Sequence, residues 1–308
     1  MEHTPVLLHE CINGLNIKPN GIYVDGTLGR AGHAVKIAEK LSGGRLIVID
    51  RDEEAIKEAE KLLLEYKGLI TFIHGNFKDI KKILKEEGTE KVDGMLFDLG
   101  VSSPQLDNIY RGFSYNRDAP LDMRMDRTNT LTAYDIVNNW PEEDLRKIFY
   151  EYGEERYSKQ IARAIIKRRA VNQIDTTFKL NDTIISAVPA AARREAQHPS
   201  KRCFQAIRIA VNDELGSLRD MLENAPQLLK KEGRLNVISF HSLEDRLVKR
   251  AFAAGAKGCD CPGDLPVCIC GKKPTLKLIT RKPVVASTSE TEKNPRARSA
   301  KLRIAERI

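Results

Sequence analysis

The sequence predicts an α/β fold: a doubly wound, mostly parallel sheet interrupted by an all-helical insertion. Three observations carry this. Short apolar runs near 22–25, 45–50, 70–73, 94–97 and 234–238 alternate with helical periodicities, the rhythm of βα units. The first, second and fourth runs end in acids, Asp25, Asp50 and Asp98, at the strand ends where such sheets bind ligands. Residues 107–200 break the rhythm, with helical patterns from about 131 onward. The expected division is therefore a discontinuous α/β domain of residues 1–106 and 201–308, with an inserted helical domain at 107–200.

Taken in order, residues 4–17 read as a short helix closed by the turn Asn13-Gly14. The first strand covers 22–25. A helix over 32–41 stops at Ser42-Gly43-Gly44. The second strand leads to Asp50. Ala55, Ile56, Ala59, Leu62 and Leu63 then recur at helical spacing over 53–65. The third strand covers 70–73, a helix 79–86 and the fourth strand 94–97. Residues 111–126 have no period and form a long loop, a kind of segment that tends to carry function. Helices are expected near 131–138, 141–150, 155–170, 179–187 and 189–196. Pro141 with Glu142 and Glu143 is a strong helix start. One long helix is expected over 203–223 and a short one over 226–231, followed by the strand at 234–238 and a helix at 243–253. Segments 275–280 and 300–306 read as a closing antiparallel pair. The polar stretch 287–294 reads as an irregular connection.

The chain has 308 residues, 41% hydrophobic and 31% charged, with a mean hydropathy of −0.40. That is ample for a core, and no apolar run approaches the roughly 20 residues of a membrane span. No signal-peptide pattern follows Met1, so a cytoplasmic location and no membrane partner are expected. The net charge of +8 lies in the last third, where 22 Lys and Arg face 12 Asp and Glu. A basic surface suits nucleic acid. The best phosphate contacts are Arg193-Arg194, Lys201-Arg202 and Arg296, Arg298, Lys301 and Arg303; solvated basic faces are the alternative.

Residues 21–33, Gly-Ile-Tyr-Val-Asp-Gly-Thr-Leu-Gly-Arg-Ala-Gly-His, join a strand to a helix through Gly26, Gly29 and Gly32. Glycines permit a sharp turn and close approach of a ligand. Asp25 stands where a dinucleotide fingerprint has its first glycine. An acid there can pair with a cationic ammonium, such as that of S-adenosylmethionine. Asp50, 25 residues later, can accept ribose hydroxyls, with Asp52 as a substitute. Phe77 can stack on an adenine or cap the core. After the fourth strand, Asp98-Leu99-Gly100-Val101-Ser102-Ser103-Pro104-Gln105 gathers acceptors of the kind that orient an exocyclic amino group. Methyl transfer from an activated donor draws much of its rate from positioning, so a strong base is not required.

These stretches, with Arg111-Gly112-Phe113-Ser114, Leu121-Asp122-Met123-Arg124-Met125-Asp126, Ser239-Phe240-His241-Ser242-Leu243-Glu244-Asp245-Arg246 and Asn294-Pro295-Arg296-Ala297-Arg298-Ser299, run nearly end to end. Together they resemble the bacterial small-subunit (16S) ribosomal RNA cytosine-N4 methyltransferases. The resemblance implies a Rossmann-like class I methyltransferase fold, S-adenosylmethionine as donor and a decoding-region cytidine of 16S rRNA, within the small subunit, as acceptor. It implies cofactor contacts at Ala31, Gly32, His33, Asp50, Phe77, Asp98 and Gln105, beside Asp25, Gly26 and Gly29. Asp98, Ser102, Ser103 and Pro104 become the expected catalytic set. The family often has a glycine where this chain has Ala31, a change that a backbone contact survives. Nothing in the sequence calls for an obligate protein partner.

Several side chains keep two readings. The stacking face for a flipped base can come from Tyr110, Phe113 or Tyr115; base-modifying enzymes act on unstacked bases. His241 contacts RNA or serves the fold. Asp122, Arg124 and Asp126 are expected to form an ion network. Cys259, Cys261, Cys268 and Cys270 form a C-x-C-x₆-C-x-C pattern that can bind one Zn²⁺ or stay as reduced thiols. Absence of a Pro-Cys pair argues against carbon methylation through a cysteine adduct. Methylation of DNA or another RNA, and a non-enzymatic assembly factor, remain the alternatives.

Overall fold

A computed structural model describes residues 5–193, 198–259, 261 and 269–308. The chain forms two compact units, residues 1–100 with 215–308, and residues 101–214.

The first unit begins with α1 (Leu8–Leu15), β1 (Ile22–Asp25), α2 (Gly32–Ala38), β2 (Arg45–Asp50), α3 (Glu53–Leu62), β3 (Ile70–His74), α4 (Ile80–Glu86) and β4 (Val92–Asp98). The second holds α5 (Ser103–Asp107), α6 (Ala133–Asn139), α7 (Glu142–Glu151), α8 (Ser158–Arg169), α9 (Thr177–Ala187), α10 (Ala190–Arg193) and α11 (Pro199–Asn212). From α12 (Glu214–Asn224) the chain returns to the α/β unit. It continues through β5 (Leu229–Ser239), α13 (Ser242–Ala256), β6 (Leu276–Leu278), β7 (Val284–Val285), α14 (Thr288–Lys293) and β8 (Lys301–Arg307).

The sheet order is β3-β2-β1-β4-β5-β8-β6, with β7 also paired to β8. Strands β3, β2, β1, β4 and β5 are parallel, and β8 runs antiparallel to β5, β6 and β7. The 3-2-1-4-5 core is the doubly wound order, reversing between β1 and β4. Strand alternation divides the core. Tyr23, Leu46, Val48, Leu96 and Ile238 pack on one face with residues of α1, α2 and α3. Val24, Ile47, Ile49, Met95, Phe97, Leu235 and Val237 pack on the other with α4, α12 and α13. Both faces are covered, which is why these strands read as continuous apolar runs.

The structure moves several expected boundaries. The single helix expected over 203–223 is two helices, α11 and α12, separated by Asp213 in the left-handed conformation (φ 46°). Cys203, Phe204, Ala206, Ile207 and Val211 of α11 lie in the helical unit's core. The helical unit therefore runs from 101 to 214 instead of 107 to 200. Residues 229–231 extend strand β5 instead of ending a helix. The stretch 287–294 contains α14, capped by Ser287, and Glu290 Oε1 accepts from the Leu7 N–H at 2.8 Å. Polarity suggested an irregular segment there; the cap and that long-range bond order it.

In the helical unit the aperiodic stretch 111–126 is fixed by buried polar clamps. Asn212 Nδ2 donates to the Met123 carbonyl at 2.8 Å, and its Oδ1 accepts from the Met125 N–H at 2.7 Å. The Arg111 guanidinium donates to the carbonyls of Arg124 and Met125, both at 2.9 Å. Arg124 and Asp122 form the expected ion pair at 2.8 Å, whereas Asp126 accepts from Thr128 in a local turn.

Candidate methyl-donor site

The strand ends of the α/β unit bring most of the sequence-derived residues together. Asp25 closes β1, is 1% exposed, and accepts from the Thr27 N–H at 3.2 Å. Gly26 follows, its N–H held by the Leu96 carbonyl at 2.9 Å. A Cβ on Gly26 would lie 2.2 Å from the Phe97 ring, itself fully buried. Gly26→Ala is therefore expected to cost about 1–3 kcal/mol through overpacking. Thermal unfolding reads this as a lower Tm, and an unchanged Tm would show that Phe97 yields freely.

Gly29 has φ +49° and donates its N–H to Asp50 Oδ2 at 2.8 Å. Asp50 Oδ1 accepts from the Asp52 N–H at 2.9 Å. These bonds tie the glycine turn to the end of β2. Asp50 retains lone pairs, because each carboxylate oxygen can accept more than one bond. Asp52 instead caps α3 by accepting from the Glu54 N–H, so Asp50 is the strand-end acid facing the turn. Ala31 has φ +59° and is fully buried. The left-handed region costs a non-glycine residue about 1–2 kcal/mol. Gly32 opens α2.

His33 is 5% exposed, with Nε2 3.1 Å from the Val6 carbonyl. Burial lowers its pKa to about 4, against that hydrogen bond. Its Nδ1 lies 3.9 Å from Asp98 Oδ2, beyond hydrogen-bond range, and a neutral imidazole makes no ion pair.

Asp98 ends β4, its N–H donating to Thr27 Oγ1 at 2.6 Å. Its Oδ1 is buried with no hydrogen-bond partner, while a quarter of the side chain reaches solvent. Burial, then the charges of Asp25 and Glu244, raise its pKa to about 8; solvent at the exposed part of the carboxylate works against that rise. Burial also raises Asp25 to about 7, opposed by the Thr27 N–H and reinforced by Asp50. Asp50 shifts upward through burial, opposed by its two backbone donors. Three acids at neighbouring strand ends, one with an orphaned oxygen, form an acceptor-rich site short of positive charge. An ammonium or sulfonium cation and ribose hydroxyls supply what such a donor set lacks, so the residues present fit S-adenosylmethionine.

Phe77 packs edge-on against Phe97, with ring centroids 5.7 Å apart, and the Arg51 guanidinium lies 5.6 Å from its ring centroid. It is buried, three residues beyond the end of β3. His241 caps α13: its Nδ1 accepts from the Glu244 N–H at 3.4 Å. Glu244 Oε2 accepts from the Phe240 N–H at 2.8 Å. The fold reading of His241 is the one these contacts support. Glu244 is the charge near Asp98 that sequence reasoning missed, although His-x-x-Glu has the spacing of a capping box.

Ser102, Ser103, Pro104 and Gln105 belong to the helical unit and build the first turn of α5. Gln105 Oε1 accepts from the Ser102 N–H at 3.0 Å, and proline suits a first turn because its missing N–H has no helical partner there. Neither α5 nor this cap was expected, though Ser-Ser-Pro-Gln carries the signal. Of the basic residues, Arg193, Lys201, Arg296 and Arg298 are exposed. Arg303 is 7% exposed and forms a two-pronged pair with Asp245, at 2.7 and 3.2 Å, so it is committed to the fold instead of a phosphate. Arg202 pairs with Glu155 at 3.6 Å. Arg194 and Cys268 lie outside the described residues. Cys259, Cys261 and Cys270 converge, with their Sγ atoms within 4.8 Å of one another.

A 3-2-1-4-5 sheet with acids closing β1, β2 and β4 around a glycine turn defines a Rossmann-like methyltransferase. The chain belongs to the MraW methylase family, whose profile matches residues 1–308. The ribosomal RNA small subunit methyltransferase H of Brevibacillus brevis (strain 47 / JCM 6285 / NBRC 100599) is 54% identical over 307 residues, covering 99% of this chain and 98% of the relative. The protein of that name from Carboxydothermus hydrogenoformans is 54% identical over 306 residues, covering 99% and 98%. That from Paenibacillus sp. (strain JDR-2) is 51% identical over 314 residues, covering 100% and 99%. No helix among the described residues is long and apolar enough to cross a membrane.

Proposed function

We propose that this protein methylates the exocyclic N4 of a cytidine in the decoding region of 16S rRNA, using S-adenosylmethionine, in the cytoplasm. The supporting observation is the acid cluster Asp25, Asp50 and Asp98, with the buried, unpartnered Oδ1 of Asp98. The names of the relatives support the small-subunit rRNA as substrate.

S-adenosylmethionine, when bound, supplies an activated sulfonium methyl for in-line displacement. Asp25 faces cationic charge beside the turn formed by Gly26, Gly29, Ala31, Gly32 and His33. Asp50 accepts ribose hydroxyls with the lone pairs left by Gly29 and Asp52. Phe77 lines the adenine side. Asp98 accepts a hydrogen bond from the amino group that is methylated, aiming the nitrogen lone pair; as the N–C bond forms the S–C bond of the donor would break, the neutral thioether would leave, and the proton lost from the nitrogen would pass to water. For Ser102, Ser103, Pro104 and Gln105, a role in the reaction rests on the family resemblance, beside their observed place in the first turn of α5. Exposed Arg193, Lys201, Arg296 and Arg298 are the candidates for phosphate contacts, which add affinity without sequence information.

The test incubates purified protein and methyl-labelled donor with unmodified small ribosomal subunits, naked 16S rRNA and DNA. Label is expected in the small subunit's rRNA. Label in DNA alone would overturn the assignment, and tight donor binding without transfer to any acceptor would favour a non-catalytic assembly factor.

A further inference from the structure

We propose that Cys259, Cys261 and Cys270 hold a structural Zn²⁺ in the loop that joins α13 to β6. The sulfur spacing suits joint coordination of one metal ion. The three Sγ atoms lie within 4.8 Å of one another, and Cys270 Sγ is 3.6 Å from Cys259 Sγ. Zn–S bonds of about 2.3 Å in a tetrahedron place sulfurs about 3.8 Å apart. A disulfide would bring them to about 2.05 Å, and none of these cysteines is in one.

The loop's two arms are joined below the thiols. The Thr275 N–H donates to the Gly255 carbonyl at 2.8 Å. A Cβ on Gly255 would lie 2.7 Å from the Leu276 side chain, and one on Gly258 3.1 Å from Pro274. Leu276 is 2% exposed. This closed stem brings residues 259 and 270 together without needing the metal, so the thiols are preorganised for it. The Cys261 N–H also donates to Cys259 Sγ at 3.3 Å, the type of outer contact that stabilises a metal-bound thiolate.

The ligand chemistry selects the ion. Three sulfurs suit a soft or borderline cation and exclude Mg²⁺ and Ca²⁺, which take oxygen. Binding requires thiolates, so their protons are released as the Zn–S bonds form and no oxidation occurs. The site ties the end of α13 to β6 at the edge of the sheet. Its role is structural.

The test is metal analysis of the full chain purified without chelator, together with Cys259→Ser, Cys270→Ser and the double variant. About one Zn²⁺ per wild-type chain is expected, falling about tenfold or more in each variant. Circular dichroism confirms that each variant is folded. Replacement by Co²⁺ is expected to give the intense visible absorption of tetrahedral thiolate coordination, absent from the double variant. Wild type that stays metal-free after incubation with Zn²⁺ would overturn the proposal. So would a folded double variant that keeps its zinc, iron in place of zinc, or a disulfide between these cysteines in protein purified under reducing conditions.

Discussion

Asp98→Asn is expected to lower the single-turnover rate of methyl transfer by about 10²–10³, as loss of one preorganised electrostatic contact does elsewhere, with RNA affinity nearly unchanged. The substitution preserves shape but replaces one acceptor oxygen with a donor. The backbone that carries Asp98 is fixed by the bond from its N–H to Thr27 Oγ1, so the side chain alone is altered. Stability separates this from a folding defect. The wild-type carboxylate is held partly buried beside Asp25 and Glu244 with Oδ1 unpartnered, a costly arrangement for a charge. Asn carries none, so the variant is expected to melt no lower than wild type at pH 8.5. Wild-type turnover in the variant would remove Asp98 from the mechanism. A lowered Tm together with lost RNA binding would assign it to the fold instead.

S-adenosylmethionine is expected to bind more tightly as pH rises from 6 to 7.5. The affinity should gain at most about tenfold per pH unit for each carboxylate that must ionise, less as pH reaches that group's pKa. The acids concerned are Asp25, raised to about 7, and Asp98, raised to about 8. The interval stays below the titration of the donor's own amino group, near 7.7–8.0 for an α-amine. The ligand-free protein should behave in the opposite sense. Acids whose folded pKa values lie above the unfolded value of about 3.9 contribute stability that is fully present below that value. It is lost as pH rises through 7 and 8. His33, lowered to about 4, acts the other way, adding stability as pH rises from 4 to 6.5, and is silent above that. Isothermal titration across the interval reads the affinity, and thermal melts of the ligand-free protein from pH 6 to 9 read the stability. An affinity flat with pH, and a Tm that does not fall, would show that neither acid is protonated in the empty site.

The α/β unit was largely legible in the sequence because its signals are local. Strands β1 to β4 are apolar runs with an acid or histidine at the end, separated by glycine turns and helical periods. The acids Asp25, Asp50 and Asp98 could be placed by counting, since chain direction and parallel pairing bring strand ends to one edge. What local pattern could not carry was partnership at long range. Nothing around Glu244 marks it as the neighbour of Asp98, and nothing around Glu290 marks it as the acceptor for Leu7 that orders α14. The break at Asp213 was hidden for another reason. Apolar residues recur through α11 and α12 at helical spacing, so periodicity alone continues across a single left-handed residue. Arg303 looked like a phosphate ligand by composition, and only the structure reveals Asp245 beside it.

The most direct test of the chemistry assigned to this fold is the identity of the product nucleoside. Small-subunit rRNA methylated by the purified protein, digested to nucleosides and resolved by mass spectrometry against synthetic standards, is expected to yield N4-methylcytidine at a single decoding-region position. A methyl group on carbon 5 of cytosine, on a ribose hydroxyl or on another base would contradict an amino group presented to the acceptor-lined end of β4.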